Sequence, residues 1–149
     1  MSTYLDLDVW HEARALARDV YQITARFPRS EMFGLTQQLR RAAVSVVSNI
    51  AEGQGRWSHP EQVRFYFVAR GSLLEVETQL YLSMDLEYID PTTLDQKLAR
   101  TRKIGRMLNG LIRRANAKQP EARGPRPDSS ELMPALLALP LRHERPEQE

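Results

Sequence analysis

Val9, Ala13, Leu16, Val20, Ile23 and Phe27 recur at alternating spacings of four and three. A strand would scatter that set over both of its faces, whereas a helix gathers it into one buried seam. Pro28 marks where this helix is expected to stop. The same period returns three times. A second segment from about Gly34 to Glu52 carries Leu35, Leu39, Ala42, Ala43, Val46, Val47 and Ile50 on one side, and Gly53 reads as its helix-ending glycine. A third runs from about His59 to Glu87, opening with Ser58, Pro60 in the first turn and Glu61 three residues on, the arrangement of a capping box. Asp90 and Pro91 make a second start signal, and a fourth helix follows to about Ala117 with Leu94, Leu98, Ile104, Met107, Leu108, Leu111 and Ile112 inward. Short connections make sequential helices antiparallel neighbours, so the expected fold is all-α, an up-down-up-down four-helix bundle over residues 1–118.

After Lys118 the composition changes. Six of the nine prolines fall in residues 119–149, and no helical period survives them. That segment is read as a disordered proline-rich tail, with "ELMPALLALPLR" as a candidate docking segment for a protein partner or simply an idle apolar terminus. A chain of 149 residues supports one core of useful size. The absence of cysteine excludes disulfides, thiolate nucleophiles and cysteine-ligated metals, and the acidic start "MSTYLDLDVWHEA" is unlike a secretory leader. No apolar run approaches the roughly 20 residues of a membrane helix, so a cytoplasmic protein is expected.

The third helix has more apolar surface than one bundle face needs. Phe65, Ala69, Leu73, Val76, Leu80 and Met84 form one stripe, Val63, Phe67, Leu74, Tyr81 and Tyr88 another, with Val68 and Leu86 on a third side. On the second helix Val44, Val47 and Ala51 widen the apolar arc past the core. A monomer would leave these faces wet, so self-association is expected. Gly71 in mid-helix reads as a close-packing point.

Chemistry has little to hold. His11, His59 and His143 lack metal-ligand spacing, and "EGQGRW" has neither the lysine nor the preceding strand of a phosphate loop. Glu52 and Glu75 form the one candidate acid/base pair across two helices. With no nucleophile or metal motif beside them, the chain is read as a non-enzyme without cofactor or metal. Ser45, Ser48 and Glu52 on the second helix, and Ser72, Glu75 and Gln79 on the third, are read either as a buried structural network or as a ligand site.

The positive feature is charge. Residues 1–118 hold 17 Lys+Arg against 13 Asp+Glu, while residues 119–149 hold 4 against 6. Between Arg100 and Lys118 there are seven cations and no acid. Arg102, Arg106 and Arg113 fall within an arc of about 40° opposite the apolar seam, with Lys103 and Arg114 beside them. Such a stripe attracts polyanions, RNA or DNA, or else serves as a solvated face. Arg40, Arg41 and Arg56 extend it if the fold brings them near, and Trp57 and Tyr66 are candidate stacking residues.

The segments "LDVWHEARALARDVYQITARFPRSEMFGLTQQLRRAAVSVVSNIAEGQGR" and "RFYFVARGSLLEVETQL" resemble the four-helix-bundle family encoded in intervening sequences of bacterial large-subunit ribosomal RNA genes, over about residues 5–115. The resemblance implies an antiparallel bundle that assembles as a homopentamer. Similar bundles include accessory proteins of diversity-generating retroelements, basic pentamers that bind nucleic acid and a reverse transcriptase. It supplies no catalytic residues, and the proline-rich tail departs from the family pattern. The function expected is therefore nucleic-acid binding through the basic face, with a structural or scaffold role as the competing reading.

Overall fold

The computed structural model describes residues 2–118, so the expectations for residues 119–149 lie outside the described residues. After a 3-10 turn, Tyr4–Asp6, come α1 (Asp8–Thr24), a second 3-10 turn (Arg29–Glu31), α2 (Leu35–Gln54), α3 (His59–Asp85) and α4 (Pro91–Ala117). No strand occurs among the described residues.

Two expected caps form. The Ser58 hydroxyl oxygen accepts from the Glu61 amide at 3.4 Å and donates to the Glu61 carboxylate at 3.2 Å. Asp90 Oδ1 accepts from the Thr93 amide at 2.6 Å, a bond that holds the Asp90 carboxyl below its ordinary range. Three ends differ from the sequence reading. α1 stops at Thr24, ahead of Pro28, where the Thr24 hydroxyl donates to the Val20 carbonyl at 2.7 Å and Phe27 N–H turns back to the Thr24 carbonyl. α2 runs on through Gly53, which keeps a negative φ and is buried. α3 ends at Asp85 without a glycine: Glu87 takes the left-handed conformation at φ 61°, its amide bonds the Met84 carbonyl, and the Tyr88 amide bonds the Ser83 carbonyl. Those two bonds are the Schellman pair that satisfies the last carbonyls of a helix.

The core lies where the four seams meet, around Leu16, Val20, Leu39, Val46, Ile50, Val76, Leu80, Ile104 and Leu108, all buried. Burial of side chains of this kind contributes about 1.5–3 kcal/mol each. Contacts between helices pair Ser45 with Ser72, Gly53 with Tyr66, Glu77 with Thr101, Arg70 with Asn109, Asp19 with Lys97 and Glu12 with Lys103. In every pair of neighbours one number rises as the other falls, so α2/α3, α3/α4 and α1/α4 are antiparallel, as the up-down-up-down order requires. The backbones of α1 and α3 do not approach closely, nor do those of α2 and α4; each pair sits on a diagonal.

At one pole Phe27 and Tyr88 bring their rings to 5.2 Å, and Tyr88 donates to Glu31 Oε1 at 3.2 Å while Glu31 Oε2 caps the Leu35 amide at 2.8 Å. Tyr88 is therefore packed, not part of the surplus apolar surface. Val63 and Val47 are likewise half-buried against the core, while most of the remaining surplus is exposed. Phe67, Val68, Leu74, Tyr81, Leu82 and Leu86 are 44–58% exposed on the outside of α3. Gly71 lies among them, and a methyl group placed on it would meet nothing within 4 Å. Within one chain it is an open position, not the close-packing point expected.

Candidate nucleic-acid interface

α4 carries its cations in two groups, separated by what α1 places beside them. The α1 edge bears Glu12 and Asp19. Lys103 Nζ lies 2.8 Å from Glu12 Oε1, Arg100 Nη1 lies 3.2 Å from Asp19 Oδ2, and Lys97 Nζ lies 3.3 Å from the same oxygen. The Lys103 hydrogen bond, helped by the charges of Lys103 and Arg100, lowers the Glu12 carboxyl from its ordinary value against the opposing effect of burial. Lys103, expected in the stripe, thus spends its charge on α1.

Arg102, Arg106 and Arg113 face outward and are exposed, and none is in an ion pair among the described residues. Arg114 is exposed on the α1 side, lining with Arg106, Asp6 and Asp8 a recess of about 470 Å³. The acids there soften the field of Arg106 and Arg114, leaving Arg102 and Arg113 as the least compensated cations.

The α2 arginines do not join this group within one chain. Arg40 is half-buried, donates Nε–H to Thr24 Oγ1 at 2.9 Å and holds its guanidinium 4.6 Å from the Tyr21 ring, while Arg41 is exposed on the other flank of α2. Because α2 and α4 lie on a diagonal, these two residues point away from the stripe. Arg56 is exposed at the α2–α3 corner, 4.5 Å over the Phe65 ring, and belongs to the pole where α4 ends.

The two aromatic candidates separate. Tyr66 is 1% exposed, with its hydroxyl donating to Gln54 Oε1 at 3.1 Å, and burial raises its phenol from the ordinary value; no base can reach it. Trp57 is 93% exposed beside Arg56. Arg70 is a cation the sequence reading missed. It donates Nη1–H to Asn109 Oδ1 at 3.1 Å, and Asn109 shares the outward arc of α4 with Arg106 and Arg113. Antiparallel register across the Leu86–Asp90 connection would have found it, since residues equidistant from that turn face each other.

No trio of His, Asp or Glu among the described residues is placed to hold a metal ion. The His11 ring donates from Nε2 to the Leu5 carbonyl at 2.8 Å, and His59 bonds Gln62 at 3.0 Å. Glu52 and Glu75 do not meet: the register pairs the first with the level of Tyr66 and the second with that of Ala42, over two helical turns apart. No helix among the described residues is long and apolar enough to cross a membrane.

Residues 5–110 match the model of a family described as 23S rRNA-intervening sequence protein. Comparison with curated proteins gives no match. Among solved structures, the chain is similar to a protein of unknown function from the S23 ribosomal protein family of Bacteroides thetaiotaomicron, at 20% identity and a TM-score of 0.66, covering 70% of this chain and 97% of that one. That likeness is one of fold. With the family match spanning most of its length, this chain belongs to the 23S rRNA-intervening sequence protein family.

Proposed function

We propose that the protein is a non-catalytic, self-associating cytoplasmic bundle that binds RNA or DNA through the outward arginines of α4. The observation that carries this reading is the sorting of charge on α4: acids of α1 meet Lys97, Arg100 and Lys103, while Arg102, Arg106 and Arg113 stay exposed and unpaired among the described residues. Arginines on one helix face contact phosphates, so sequence preference is weak. Arg56 and Trp57 at the corner pole offer a phosphate contact and a stacking surface together.

Fluorescence anisotropy of a labelled structured RNA and a DNA duplex, titrated from low to physiological salt, tests this. Three phosphate contacts give a log–log salt slope near −2.7 on duplex DNA for each chain engaged, or about a 40-fold loss between 50 and 200 mM salt. A flat titration overturns the reading.

Self-association is supported by the exposed apolar residues on α3 and by the open Gly71 in their midst, which would admit a second helix closely. A homopentamer, as the family resemblance implies, is the assembly proposed; it also repeats the arginine stripe and so multiplies weak contacts. Leu74→Glu combined with Leu82→Glu places charge on that surface without touching the core. Sedimentation at micromolar concentration is expected to show an assembly for the native chain and the 17.2 kDa monomer for the variant, with helical circular dichroism retained. A native chain that sediments as a clean monomer removes the proposal.

A further inference from the structure

Two unlike faces of the bundle are left open. Between α1 and α2 lies a hollow of about 540 Å³ walled by Tyr21, Met32, Arg40, Arg41 and Val44, with no acid among the described residues that line it. Tyr21, Met32 and Val44 are 43–53% exposed there. The other face is the ridge of α3. Gly71, Leu74, Thr78 and Leu82 stand opposite the buried seam of that helix, all exposed. From Gly71 to Leu86 the ridge carries the exposed acids Glu75 and Asp85 and no lysine or arginine. The hollow is thus apolar and positive, the ridge apolar and negative. Their heights also agree. The register of α2 against α3, set by Ser45 with Ser72 and Gly53 with Tyr66, puts Val44 level with Leu74 and Met32 level with Leu86.

We propose that the α3 ridge of one copy seats in the α1–α2 hollow of the next, an inference that rests on the reading that the chain self-associates. Like faces do not suit each other: ridge on ridge sets Glu75 and Asp85 against acids, and hollow on hollow sets Arg40 and Arg41 against cations. A contact between unlike faces is head-to-tail, and it closes only if each copy is turned relative to the last. In a bundle of roughly square section the α1–α2 side looks outward about 135° from the α3 diagonal and about 90° from the α2–α3 side, and a five-membered ring needs about 108°, which falls between them. Closure in that sense turns α2 toward the ring axis and α4, on the opposite diagonal, toward the perimeter. The arginine stripes therefore line the outer rim, and nucleic acid runs around the assembly instead of through it. Arg41 stands on the inner side of the contact, away from that rim.

The chain has no cysteine, so paired substitutions read the contact directly. Val44→Cys in the hollow and Thr78→Cys on the ridge both change exposed residues. Treated with a short bis-maleimide at micromolar concentration, the full chain carrying both is expected to give a ladder of covalent oligomers that ends at the closed ring. Each single variant should stay at the 17.2 kDa monomer on a denaturing gel, and the two single variants co-expressed should give dimers and nothing longer. Thr78→Cys bridging to itself would mean that like faces meet and overturns the proposal, as does a double variant that assembles without bridging. Orientation is read with a polyethylene glycol maleimide. Ser48→Cys on the outward side of α2 should be protected by assembly, and Ala99→Cys on the outward side of α4 should label freely. Both should label alike in the monomeric Leu74→Glu, Leu82→Glu background. The reverse order of protection overturns the placing of α4 on the rim. A native chain that sediments as a monomer removes the self-association reading and this proposal with it, whereas a covalent ladder with flat anisotropy supports the ring and removes the nucleic-acid reading alone.

Discussion

Gly53→Ala is expected to lower stability by about 1–3 kcal/mol, the usual cost of forcing an extra group into a packed core. Near the end of a helix, glycine to alanine would ordinarily gain a little from propensity. Here the added carbon would stand 2.6 Å from Tyr66 Cε1, 2.9 Å from Tyr66 Cδ1 and 3.1 Å from Phe65 Cβ. Tyr66 cannot swing aside, because its ring is buried and its hydroxyl is held by Gln54. The expected fall in melting temperature is roughly 3–12 °C for a chain of this size, measured at equal protein concentration so that the proposed self-association does not shift the midpoint. The contact is isolated by a double-mutant cycle with Tyr66→Ala, in which Gly53→Ala should lose most of its cost once the ring is gone. An equal cost in both backgrounds would return Gly53 to a role in the backbone alone.

The second large effect is on binding. Changing Arg102, Arg106 and Arg113 together to glutamate turns three attractions into three repulsions, and affinity for RNA or duplex DNA at low salt is expected to fall by at least about 100-fold, with the salt slope lost. These residues suit the test because they are exposed and make no ion pair among the described residues, so the fold should survive their reversal. Arg100 and Lys103 would not suit it, since reversing them sets new acids against Glu12 and Asp19. Arg41→Glu makes a useful comparison: on the far side of the chain from α4, it should cost far less unless neighbouring copies bring the two faces together. Unchanged anisotropy in the triple variant would leave the stripe as a face that keeps the protein soluble.

The parts of this fold that depend on period and local chemistry were legible in the sequence. The inward positions of α4, the serine at 58 and the aspartate at 90 announce themselves through spacing and capping, which need no knowledge of the partner helix. What was hidden depends on which helix lies opposite. Gly53 looks like a helix stop until Tyr66 is known to press on it. Lys103 looks free until Glu12, ninety-one residues earlier, closes on it across the α1/α4 edge. Glu87 carries no signal for a left-handed turn, because glycine is the residue that normally marks one. The stripe was therefore found as a set, while which of its members stay unpaired is decided by α1, a neighbour distant in sequence. The polar residues of α2 and α3 were visible only as two separate rows; the register joins them at Ser45 and Ser72, 2.7 Å apart, and leaves Ser48, Glu52 and Glu75 exposed.

Glu12 pairs with Lys103, and Asp6 and Asp8 line one recess with Arg114, so the two ends of the described chain lie at the same pole. A fluorophore, affinity handle or fused reporter attached ahead of residue 2 would stand over Arg106 and Arg114, within reach of Trp57 at the same pole, and would screen the cations it was meant to report on. The far pole, where Asp85 to Asp90 turn back into α4, offers attachment points that leave the arginines clear. In practical terms the bundle has a front and a back for labelling.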